Sequence, residues 1–70
     1  MKWNKTGRTV RGNGESTTTY ESTDGAYRIE SRKRKNGSGM NTSYHLIHNG
    51  QEQEYLSLRN AKLAAEKGLI

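Results

Sequence analysis

Apolar side chains are sparse along this chain, and where they occur their spacing is regular. From Thr42 to His48 the side chains alternate, placing Tyr44 and Leu46 on one face of a strand, because successive strand side chains point to opposite sides. Asn49-Gly50 follows, the pair that most readily adopts positive φ at both central positions of a two-residue hairpin. Gln51 to Leu56 then returns antiparallel and delivers Tyr55 to the face of Tyr44 and Leu46. Ser57 is placed to cap a helix by accepting a hydrogen bond from the backbone N–H of Asn60. The helix runs through Ala61, Ala64 and Ala65, and Gly68 is suited to end it in the left-handed conformation.

Two further strands precede this unit. Glu15 to Ser22 is rich in Thr and carries Tyr20, a composition of high β-propensity. Asp24-Gly25 supplies a turn, and Ala26 to Lys35 follows as a strand. Tyr27, Ile29 and Ser31 fall on one side of it, and Arg28, Glu30, Arg32 and Arg34 on the other. Asn36 to Asn41 reads as a flexible loop. On a helical wheel Ala61, Ala65 and Leu69 line up with Leu58 as an inward face, while Leu63 points about 140° away. The expected core is Tyr27, Ile29, Tyr44, Leu46, Tyr55, Leu58, Ala61, Ala65 and Leu69, with Leu63 covering a gap against the N-terminal segment. The fold class expected is α+β, a three- to four-stranded antiparallel sheet packed against one C-terminal helix. Residues 1–14, broken by Gly7, Gly12 and Gly14, read as a flexible basic arm, and residues 15–70 as the single domain. Trp3 in that arm either docks on the sheet and helix or stacks on a base.

Composition narrows the function classes. Only 29% of the 70 residues are hydrophobic, so the core is thin. With no cysteine, neither a disulfide nor a thiolate zinc site staples the fold, which agrees with a cytoplasmic protein. No apolar run approaches the roughly 18 residues of a bilayer span, and Met1 to Val10 lacks the apolar centre of a signal peptide. The net charge of +5 is uneven: residues 1–35 hold nine bases against four acids, and residues 36–70 hold three of each. Such asymmetry points to a polyanionic partner; its plain alternative is charge for solubility.

No catalytic constellation, metal set or cofactor motif is evident, and an enzyme is not expected. His45 and His48 are three apart, on opposite faces of a strand, which disfavours a shared metal. Gly12-Asn13-Gly14 is too short for a phosphate loop. What remains is the basic strand: Arg28, Arg32 and Arg34 on one face, Lys33 and Lys35 beside the loop, and His45 pointing with the arginines. A β-ribbon fits the major groove of B-DNA, where arginines pair with guanine edges or phosphates. Lys5, Arg8 and Arg11 of the arm would track neighbouring phosphates. The alternative for this face is a solvated surface that prevents edge association.

The run Tyr55-Leu56-Ser57-Leu58-Arg59-Asn60-Ala61-Lys62-Leu63-Ala64 joins a strand-end aromatic to a hydroxyl cap and an alanine-rich helix. Over about Tyr27 to Glu66 the chain resembles the APETALA-type plant DNA-binding domain and the N-terminal arm-binding domains of phage and transposon tyrosine recombinases. The resemblance implies a sheet face lying in the major groove, with Arg28, Arg32, Arg34 and His45 as contacts. It departs from the plant pattern at Glu54, where those domains carry Gly, and in lacking their strand Trp. The catalytic domain of the recombinases is absent from these 70 residues. Double-stranded RNA-binding domains share the strands and final helix, but their N-terminal helix has no counterpart here. The function expected is a monomeric module of phage or mobile-element type bound to double-stranded DNA, with no cofactor and no membrane partner. A second expectation is a small phage-type accessory protein that binds and inhibits a host protein, as anti-CRISPR proteins do.

Overall fold

The computed structural model describes residues 1–70. Five strands and one helix follow one another: β1 Trp3–Val10, β2 Ser16–Ser22, β3 Arg28–Asn36, β4 Gly39–His48, β5 Gln51–Tyr55 and α1 Leu58–Glu66. The strands form one antiparallel sheet in chain order, so each pairs only with its chain neighbours. The α+β class with a C-terminal helix is as expected; the strand count is five rather than three or four.

The difference lies at the N-terminus. Trp3–Val10, expected as an arm, is strand β1, laid along β2 from Trp3↔Ser22 to Val10↔Ser16. Its sequence is polar because it is an edge strand with little to bury. Its hydrogen bonds come from the otherwise unpaired edge of β2, a partner that no local pattern announces. The expected loop at Asn36 to Asn41 is also shorter than composition suggested. Asn36 pairs with Gly39, leaving a two-residue turn. Gly37 there has φ 62°, the positive first position of a II′-type hairpin.

The turn chemistry elsewhere is as read. Asn49 and Gly50 both have positive φ, at 51° and 77°. Ser57 Oγ accepts from the Asn60 N–H at 3.1 Å. At the other helix end Gly68 has φ 66°. The Gly68 N–H donates to the Ala65 carbonyl and the Leu69 N–H to the Ala64 carbonyl, the paired bonds of a Schellman motif.

The helix lies on one side of the sheet over Ile29 and Leu46, which face each other across β3 and β4. These two with Ala61, Ala64 and Ala65 are the fully buried apolar core. Trp3, Tyr20, Tyr27, Tyr44, Tyr55, Leu58 and Ile70 pack around it. Trp3 thus takes the docked alternative. Two core assignments are corrected. Leu69 is 65% exposed, because the left-handed turn at Gly68 carries the chain off the helical wheel, and Ile70 packs in its place. Leu63 does not cover β1; it lines shallow clefts on the outer flank of α1 with Leu58, Lys62 and Glu66, and with Tyr55 and Leu69. No helix is long and apolar enough to cross a membrane.

Candidate nucleic-acid interface

Paired residues in adjacent strands point to the same side, so the register assigns every strand residue to a face. Tyr20, Ile29 and Leu46 mark the helix side. Arg28, Glu30, Arg32 and Arg34 on β3 project to the opposite, open side, as alternation requires. His45 and Ile47 of β4 and Glu52 and Glu54 of β5 share that side.

On the open side the arginines are engaged. Arg32 donates to Glu30 at 2.6 Å and reaches Glu52 at 3.5 Å. The Glu30 bond, with the Glu52 charge nearby, raises the Arg32 pKa above its ordinary value and keeps the guanidinium charged. Arg28 lies 3.7 Å from Glu21 and 3.9 Å from Glu30. Arg34 bonds the Ser16 carbonyl at 2.9 Å and the Thr17 hydroxyl at 2.8 Å, fastening the end of β3 to β2. Three guanidiniums face four strand carboxylates (Glu21, Glu30, Glu52 and Glu54), a balance of −1. The face expected to be the basic one is therefore self-neutralised. Glu30 within β3 supplies one carboxylate; register supplies the other three, as β2 and β5 bring Glu21, Glu52 and Glu54 beside β3 and β4, which no spacing within β3 discloses.

His45 was expected to point outward with the arginines. It does face the open side, but it is only 9% exposed. Its Nε2 shares a 2.9 Å hydrogen bond with the Ser43 hydroxyl, and Nδ1 lies 3.2 Å from Glu52. The sequence placed no base beside a nucleophile; the fold does bring hydroxyl, imidazole and carboxylate together. A serine relay needs the carboxylate to accept a hydrogen bond from Nδ1–H, and Nδ1 has no such bond. None of the clefts is lined by Ser43 or His45. The cluster is a cross-strand packing network. His48 lies on the helix side; its Nδ1 is 2.7 Å from the Ala26 carbonyl, and its ring stacks on Tyr27 at 4.1 Å. Strand alternation thus separates the roles of two histidines three residues apart in β4, and no group of three potential metal ligands forms.

The remaining candidates gather on the helix side. Lys33 is paired with Ser16 and Thr42, and Lys35 with Met40. Lys5 is opposite Tyr20, and Arg8 opposite Thr18. In a regular strand Lys5 and Arg8, three apart, would face opposite ways. The ladder shifts between Lys5 and Gly7, and this bulge turns Arg8 to the side of Lys5. All four are exposed, and none has a carboxylate within salt-bridge distance. No strand residue on this side is acidic. Lys62 of α1 borders the same surface, its Nζ 5.8 Å from the centre of the Tyr20 ring. Arg11 stands apart in the β1–β2 loop, 3.7 Å from Glu15.

Comparison with protein-family models, with curated proteins and with solved structures found no significant match.

Proposed function

We propose that this chain is a small DNA-binding module of the kind used by phages and mobile elements, acting in the cytoplasm as a monomer on duplex DNA, without cofactor or catalysis. The observation that carries this reading is the sorting of charge by the fold. The strand acids lie on one side of the sheet, and four unpaired cations lie on the other. A surface of one sign attracts a polyanion and speeds its capture. The unit β3–β5 with α1, which resembles the plant and recombinase sheet modules, agrees with duplex DNA as that polyanion.

The test is fluorescence anisotropy of a mixed-sequence duplex at two salt concentrations. Four phosphate contacts give a slope of about −3.6 in log K against log salt, so affinity should fall roughly 100-fold between about 50 and 200 mM. Absence of binding at the lower salt would overturn the reading. A second reading, a protein-inhibiting accessory factor, draws on the exposed leucines around α1: Leu56 at 91%, Leu69 at 65% and Leu63 at 39%. A stoichiometric partner protein whose binding is lost in Leu63→Ser/Leu69→Ser, with no duplex binding at low salt, would put that reading first.

A further inference from the structure

Resting on the DNA-binding reading above, we propose that the ligand surface is the helix side of the sheet beyond α1, a hydroxyl floor framed by cations that grips the phosphate backbone, and not the arginine face. The floor follows from the register. Arg8, Thr18, Ser31 and Tyr44 form one row across β1 to β4. Val10, Ser16, Lys33 and Thr42 form the next. Ser16 and Thr42 therefore flank Lys33, Thr18 and Ser31 lie in the adjoining row beside Arg8, Lys35 stands one step further along β3, and Lys5 and Lys62 lie at the end near the helix.

The two faces differ in what is free to bind. On the open side Thr17 accepts from Arg34 and Ser43 bonds His45, while the free hydroxyls of Thr9 and Thr19 have no unpaired cation beside them, Thr19 lying opposite Glu30 and Thr9 opposite Thr17. The four floor hydroxyls form no hydrogen bond within the chain. An anionic oxygen is the ligand that satisfies a neutral hydroxyl donor and a nearby ammonium together, and a phosphodiester presents such oxygens in series. A floor of short hydroxyls and flexible lysines lacks the planar forks that read guanine or adenine edges. Recognition by this surface is consequently of backbone, tolerant of sequence. The surface lies on a rigid sheet and is open at its far end, since α1 covers only the Ile29–Leu46 half. The bulge in β1 is the device that completes it, because it brings Arg8 round to the floor.

The experiment compares three double variants, each confirmed folded by circular dichroism, against one duplex over a salt series. Lys33→Gln/Lys35→Gln should flatten the slope by about two units, near 0.9 for each lost contact. Thr18→Val/Ser31→Ala should weaken binding several-fold with an unchanged slope, since no charge is removed. Arg28→Gln/Arg32→Gln should bind within about twofold of wild type. In the wild-type complex, Lys33 side-chain resonances should shift and those of the adjacent Arg32 should not, because the two lie on opposite faces. Loss of binding in the arginine variant with the floor variants intact would overturn the assignment while leaving DNA binding itself in place. A wild type that binds no duplex would instead remove the functional reading, and this one with it.

Discussion

Ile29 and Leu46 are the only large side chains wholly enclosed, and three alanines complete the buried set. With so little apolar area, each large residue carries a sizeable share of stability. Leu46→Ala should cost about 2–5 kcal/mol, enough to abolish a cooperative melt in so small a domain. Leu69→Ala, at an exposed position, should leave the urea midpoint nearly unchanged; equal losses at the two sites would show that the C-terminal turn is packed differently. Titration acts at the same scale. The Ser22 hydroxyl bond, then the Ala26 N–H, hold the Asp24 carboxyl below its ordinary value. The Lys35 N–H, then the Asn13 amide, do the same for Glu15. A lowered folded-state pKa favours the native state above the ordinary carboxylate range and ceases to do so as pH falls through the folded value. Thermal stability should therefore decline as pH drops below about 4, and Glu15→Gln/Asp24→Asn should show a shallower decline. An identical pH profile for variant and wild type would exclude these bonds as the cause.

Among the elements, α1 is the one whose ends are most fully specified. Its nine residues are too few to be helical alone, so its caps and its alanine face against the sheet must hold it. Replacing Ser57 with Ala removes the acceptor for the Asn60 N–H and should cost about 1 kcal/mol. Gly68→Ala should cost a similar amount, about 1 kcal/mol, for a different reason: a Cβ there meets no neighbour, but the residue must hold φ 66°. Asn at the same position should recover part of that loss, as it tolerates the left-handed region better than Ala. Chemical denaturation of the three variants measures this; equal stability of the Ala and Asn variants would argue against backbone strain as the mechanism.

At the scale of the molecule, the meander topology makes every strand pairing a hairpin between chain neighbours. Such contacts close short loops, so the entropy lost before each pairing forms is small. The chain also contains no proline, which removes the slow isomerisation phase common in refolding. Refolding should accordingly be a single exponential, complete well within a second. A phase lasting tens of seconds would point to association or a register rearrangement. The two edges of the sheet differ in charge, with Lys5 and Arg8 along β1 and Glu52 and Glu54 along β5. Charge of like sign opposes pairing of β1 with β1, or of β5 with β5, between copies.

Much of the architecture was legible because it rests on interactions between residues close in the chain. Asn49-Gly50 must turn with positive φ, Ser57 reaches its own third successor, and Gly68 stops the helix whatever the rest of the molecule does. Period two likewise put Arg28, Arg32 and Arg34 on the side away from Ile29. The rest depended on which strands lie side by side. Trp3–Val10 carries too little apolar pattern to declare itself a strand, and only the free edge of β2 makes it one. The bulge beyond Lys5 is a misfit between two strands and has no meaning within either, yet it decides which way Arg8 points. Glu30, on the same strand and face, already pairs with Arg32, but Glu52, 20 residues from Arg32, and Glu21, seven from Arg28, were brought near only by register. Local sequence determined the turns, the caps and the alternation, because short-range sterics and hydrogen bonds decide those. Long-range pairing determined the neutral face and the cationic one, because the charge of a surface is a sum over neighbours that only the folded sheet assembles.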